Sequence, residues 1–159
     1  MSKLNAPVVV DIHSVHGQRP YFDLYIGRRT QYTEFDIDTK WCNPFPKSQW
    51  GERSLVMFEA HACFLAGFVA RYSAVYDALS DTEKAAVMHA RVNACKRWGA
   101  DAWDLNELTG KVLGCWCMNR FPHCHGEIWV KLWHEKFDAT IGIIFTLTLT
   151  GENDGTNND

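Results

Sequence analysis

Between Gly114 and Glu127 a short apolar run gives way to a loop and then to a helix-like stretch, and reactive side chains crowd the change-over. The segment reads Gly114-Cys115-Trp116-Cys117-Met118-Asn119-Arg120-Phe121-Pro122-His123-Cys124-His125-Gly126-Glu127. Of the chain's 6 cysteines and 7 histidines, Cys115, Cys117, Cys124, His123 and His125 fall here. On a strand, Cys115 and Cys117 point to one face and Trp116 to the other. Cys124 and His125 open the next helix, where unpaired N–H groups favour thiolate. A strand end and a helix start of this kind meet at the carboxyl edge of an α/β sheet, where such folds bind ligands.

The flanking sequence supplies the sheet. Pro7 to His13 and Tyr21 to Ile26 read as strands, and Gly17 to Pro20 as a turn between them. The two are expected to form a hairpin or to lie near one another in one sheet. Thr30 to Trp50 is loop-like and carries two prolines, Pro44 and Pro46. From Ser54 to Leu79 the positions Leu55, Phe58, Ala62, Leu65, Val69, Tyr72, Tyr76 and Leu79 are spaced three and four apart, which predicts one amphipathic helix. Ser80-Asp81-Thr82-Glu83 is a capping box for a second helix from Asp81 to about Trp98, ended by Gly99. A short helical turn at Asp104 to Leu108, a third strand at Lys111 to Trp116 and a helix from Gly126 to Phe137 follow.

Thr140 to Thr150 alternates as a half-exposed edge strand, and Gly151 to Asp159 is a polar tail expected to be disordered. Residues 1–150 therefore read as a single three-layer, Rossmann-like α/β domain with a small, mainly parallel sheet and an added C-terminal edge strand. A right-handed crossover through the helices would make the second and third strands parallel.

At 159 residues and 47% hydrophobic, the chain can bury one core. A formal charge of −3 gives no basic footprint, so nucleic acid is not indicated as a partner. Met1 to Pro7 lacks the pattern of a signal peptide, and the longest apolar run, near Ile141 to Leu149, is about half of the ~20 residues a membrane span needs. A soluble cytoplasmic protein is expected, with its cysteines as thiols or metal ligands.

Four segments carry a family likeness: Tyr25-Ile26-Gly27-Arg28, Trp41-Cys42-Asn43-Pro44-Phe45, Gly110 to Cys117, and Cys124-His125-Gly126-Glu127. Together they resemble the domain-of-unknown-function family 4326, which is bacterial and frequent in bacteriophages, over most of residues 8 to 135. This chain departs from the family pattern at Cys42, where glycine is usual, in a longer loop from Arg28 to Trp41, and in the added run from Thr140. The resemblance implies a small α/β fold and a phage or bacterial origin, with host cytoplasm as the setting if phage-encoded. It implies no reaction.

Two chemistries fit the cluster. One is a Cys3His zinc site of Cys115, Cys117, Cys124 and His125, with His123 as a substitute ligand; the Cys-x-Cys-x6-Cys-His spacing is not that of the usual finger. An iron–sulfur cluster on the three cysteines ranks below it. The other is an anion pocket near Arg28 and Arg120, with Cys117 or Cys124 as nucleophile, His125 as base and Gly126 allowing close backbone approach. Tyr25, Gly27, Arg28, Asn43 and Pro44 would line such a pocket from the opposing loops and suit a nucleotide-like ligand. Against these stand blander roles: Cys115 and Cys117 as small buried hydrophobes, and Trp41 and Phe45 as loop anchors. Cys63, Cys95, His61 and His89 read as structural, Arg91, Lys96 and Arg97 as a solvated face, and Trp129 and Trp133 as core.

The function expected is an enzyme acting on a nucleotide, nucleoside or similar small anionic metabolite. The alternative is a non-catalytic protein that sequesters such a ligand or binds a host protein, with zinc as a structural element.

Overall fold

The computed structural model describes residues 4–12, 18, 20–28, 40–116 and 124–138. Strands β1 (Val8–Asp11), β2 (Leu24–Tyr25) and β3 (Val112–Cys115) form one sheet in the order β1-β3-β2, and both pairs are parallel. Helices α1 (Lys47–Trp50), α2 (Arg53–Leu65), α3 (Val69–Asp77) and α4 (Asp81–Trp98) separate β2 from β3, and α5 (His125–Phe137) follows β3. This is an α/β fold on a small parallel sheet, as the sequence predicts. The run from Thr140 and the polar tail lie outside the described residues, as do Cys117, Arg120 and His123.

One open alternative is decided and one expectation changes. First, β1 and β2 share a sheet but make no hairpin, because β3 lies between them. About a dozen residues join Asp11 to Leu24, enough to carry the chain across one strand. Second, the stripe from Ser54 to Leu79 is two helices. Gly67 adopts φ +83°, the Phe68 N–H reaches the Cys63 carbonyl (2.8 Å), and the Gly67 N–H reaches that of Phe64 (3.2 Å). Those two bonds close α2 with a Schellman turn, which needs a left-handed residue that glycine supplies without a Cβ penalty.

Register explains how the sheet presents its edge. Val9, Leu113 and Leu24 form one row, and all three pack against the buried core with α2 and α5. Two residues on, Asp11 pairs with Cys115 in the next row of that face. Trp129 of α5 is fully buried and donates its indole N–H to the Trp41 carbonyl (2.9 Å), while its ring meets Trp41 edge-on at 5.0 Å. Trp103 donates to the Lys40 carbonyl (2.8 Å). These bonds satisfy the indoles' polar atoms and tie the loop before α1 to the core. Among the described residues, no helix is long and apolar enough to cross a membrane.

The capping box of α4 is present in full: Ser80 Oγ accepts from the Glu83 N–H, and the Glu83 carboxylate accepts from the Ser80 N–H. Glu83 also takes two hydrogen bonds from Arg53 (2.6 and 3.0 Å), joining the starts of α2 and α4. The Arg53 guanidinium, with help from the Ser80 N–H, holds the Glu83 carboxyl down at about 2 against an ordinary 4.5. A carboxyl depressed by folding stabilises fully above its unfolded value and loses that contribution as pH falls through its folded one. Glu83→Gln is expected to cost ~0.5–1 kcal/mol at neutral pH, since Arg53 is half exposed and the pair is screened. Urea titrations of both proteins should show the gap closing between pH 4.5 and about 2.

Candidate metal centre

Cys115, Cys124 and His125 converge. All three are buried, and their ligand atoms lie within 4.8 Å of one another. Cys115 is the last residue of β3, and its carbonyl accepts the Ile12 N–H (3.1 Å). Cys124 is the N-cap of α5, extended at φ −100° and ψ 139°, and His125 is the first helical residue. That change of backbone direction between neighbours lets adjacent side chains turn toward a common point. The Cys124 sulfur accepts the Gly126 N–H (3.3 Å), so a cysteine does the work that serine or aspartate usually does at this position. The same helix end favours negative charge on that sulfur.

His125 is held by its ring. Its Nε2 lies 2.7 Å from the Ile26 carbonyl oxygen. A carbonyl only accepts, so Nε2 carries the proton and Nδ1 presents its lone pair. Nδ1 faces the Cys115 sulfur at 3.7 Å. In a tetrahedral zinc site with ordinary bond lengths, sulfur and nitrogen ligands sit about 3.6 Å apart. Metal-binding histidines generally donate their other N–H to a carbonyl or carboxylate, which fixes the tautomer and strengthens the ligand. The Phe58 ring meets His125 edge-on at 5.3 Å and closes one side.

The Tyr25 to Arg28 segment shapes this arrangement from β2. Tyr25 donates its hydroxyl to the Arg28 carbonyl (3.0 Å), and its side chain folds over Gly27. A Cβ on Gly27 would come within 2.4 Å of the tyrosine oxygen. Between them, the Ile26 N–H is bonded to the Gly114 carbonyl (2.9 Å), which aims the Ile26 carbonyl at His125. Arg28 is exposed, and its charge acts on the Cys42 thiol, which burial pushes up.

Asn43 and Pro44 are placed elsewhere. Asn43 Oδ1 accepts the Phe45 N–H (2.8 Å), Asn43 Nδ2 donates to Ser54 Oγ (3.1 Å), and Ser54 Oγ donates to the Phe45 carbonyl (2.7 Å). Asn43 thus braces its own turn against α2, with Trp41 and Phe45 buried on either side. Pro44 is exposed and lines a cleft with His61. Cys63, pushed up to about 12 by burial, is a core thiol. Cys42, Cys63 and Cys95 are free thiols.

One contributor escapes a reading of side chains: the Ile26 carbonyl is backbone and has no residue signature.

Gly126 decides how closely α5 approaches the sheet. A Cβ there would meet Ile26 Cδ1 at 2.7 Å and Val9 Cγ2 at 2.9 Å. The Val9 methyls cannot swing away, so overpacking (~1–3 kcal/mol) outweighs the helix preference of alanine over glycine (~1 kcal/mol). Gly126→Ala is therefore expected to lower stability by ~1–2 kcal/mol, measured by chemical denaturation.

Comparison with known proteins agrees with this assembly of motifs. Uncharacterized protein R718 of Acanthamoeba polyphaga mimivirus is 28% identical to this chain over 127 residues, covering 73% of the chain and 72% of that viral protein. No solved structure matches. Residues 10–135, which run from β1 into α5 and include every segment that builds the cluster, match the domain of unknown function DUF4326, and the chain belongs to that family.

Proposed function

We propose that this protein is a zinc-stabilised binding protein, with Cys115, Cys124 and His125 as three ligands. Cys117, two residues beyond Cys115 in sequence, is the candidate fourth ligand. The observation that carries the reading is the pair of contacts His125 makes, Nε2 2.7 Å from the Ile26 carbonyl oxygen and Nδ1 3.7 Å from the Cys115 sulfur. Burial of all three donors favours a closed, structural centre over one that keeps a position open for catalysis. Such a centre ties the end of β3 to the start of α5. Reduced thiols suit the cytoplasm of a host cell, and a viral relative suits a phage or viral setting. The molecule bound would be a small anionic or nucleotide-like ligand or a host protein.

A second reading rests on the same 3.7 Å contact. Without metal, His125 Nδ1 is placed to take the Cys115 thiol proton, which would make the pair a thiolate–imidazolium centre at the sheet's carboxyl edge, facing a small anionic metabolite. Here Cys115 is the thiol set against the base, while Cys117 lies outside the described residues.

Metal analysis of protein purified without a nickel column separates the two. About one zinc per chain is expected, reduced to background in Cys124→Ser, and chelation should lower the melting temperature by about 10 °C. Metal-free protein with unchanged melting would overturn the zinc reading and leave the thiol–imidazole pair.

A further inference from the structure

Helix α4 carries two apolar stripes, and the body of the domain uses one of them. Of its 18 residues only Glu83 and Val87 are buried, and Ala90 and Ala94 pack beside Val87 on the core. At about 100° per residue, Ala85, Met88 and Val92 fall together on the opposite side of the helix. All three are exposed, Met88 by 37% and Val92 by 40%. One turn before Ala85 comes Asp81, and one turn beyond Val92 comes Lys96, both exposed. The outer face thus has an apolar middle, an acidic residue at its start and a basic one at its end.

Long cationic side chains commonly lay their stems over such surface. The two that flank this stripe are drawn aside. The Lys84 ammonium lies over the Tyr76 ring, 5.8 Å from its centroid. The Arg91 guanidinium lies 3.9 Å from the Phe64 centroid and donates to the Tyr72 hydroxyl (3.1 Å). The partner that fits the open stripe is the stripe itself. Turned antiparallel about a twofold axis beside Met88, a second α4 sets its Val92 against Ala85 and its Lys96 against Asp81, and the two Met88 side chains meet at the centre. Ala85 is small enough for the helices to approach closely. One patch used twice closes the assembly. A parallel pair would instead set Asp81 on Asp81 and Lys96 on Lys96, so charge selects the antiparallel arrangement.

We infer that the outer face of α4 is a homodimer interface, in which Ala85, Met88 and Val92 of two copies pack antiparallel and an Asp81–Lys96 ion pair closes each end. A single helix pair is a small interface, so the dimer forms and dissociates with concentration. None of Cys115, Cys124 and His125 belongs to α4, so the inference stands apart from the metal centre.

Sedimentation velocity of the whole protein at low salt, from about 1 to about 500 µM, tests this. A monomer–dimer equilibrium with a Kd of about 10 µM is expected. Met88→Glu and Val92→Glu, both exposed changes that spare the fold, should each leave monomer alone across that range. Asp81→Lys should weaken the dimer about ten-fold, Lys96→Asp should do the same, and the two together should restore it. Within one helix these residues lie 15 positions apart, or about 22 Å, too far to touch, so only pairing between copies makes the two reversals compensate. Raising NaCl from about 50 to about 500 mM needs no substitution and should weaken the dimer several-fold. A monomer at every concentration, a dimer indifferent to Met88→Glu and Val92→Glu, or charge reversals whose effects add instead of compensating overturns the inference.

Discussion

The hydrogen bond from His125 Nε2 to the Ile26 carbonyl is the interaction on which the candidate centre depends. It joins residues 99 positions apart and links the first turn of α5 to the end of β2. A histidine at a helix start is free to rotate and to exchange tautomers. Here one ring nitrogen is committed to backbone, so the other has a fixed role and a fixed direction. Everything near it serves to place either the carbonyl or the ring: Tyr25 folded over Gly27, the Ile26 N–H anchored to β3, and Phe58 against the imidazole.

The glycines of the motifs belong to the same constraint. Gly126 lets α5 come down onto Val9 and Ile26, and Gly114 leaves room on the opposite face of β3 for Phe22 and Ile12, whose atoms a Cβ would approach to 2.7 and 2.8 Å. Packing at protein density tolerates few such intrusions. The Tyr-Ile-Gly-Arg and Cys-His-Gly segments are thus two halves of one contact. The Trp-Cys-Asn-Pro-Phe segment belongs to a neighbouring layer, where Trp41 meets Trp129 and Asn43 braces the turn onto α2. Phe58 bridges the layers, touching His125 and His61 alike.

What could be read from the sequence was what local rules govern. The capping box at Ser80 to Glu83 needs only four consecutive residues, and α4 begins where it says. A change of period from strand to helix marks β3 and α5, and three of the chemically loaded residues read there, Cys115, Cys124 and His125, do meet, while Cys117 and His123 lie outside the described residues. The break at Gly67 was hidden because apolar spacing runs on through it, while the left-handed backbone there leaves no periodic trace. Strand order was hidden too, since nothing in β1 or β2 records that β3 will lie between them. Asn43 looked like a ligand-binding amide because polar residues on a loop carry no mark of their partners; in an Asn-Pro-Phe turn its side chain closes on its own backbone. His61 looked like ordinary core, and it is core, but its missing partner is visible only in three dimensions.

These observations turn on the state of one imidazole. Long-range proton–nitrogen correlation spectra of ¹⁵N-labelled protein, assigned through His125→Gln, report which ring nitrogen carries the proton. The account predicts an Nε2–H tautomer for His125, with Nδ1 either bare or shifted by a bound metal. A proton on Nδ1 with a bare Nε2 would contradict it, because the Ile26 carbonyl would then face a lone pair and the cluster would lose its orientation.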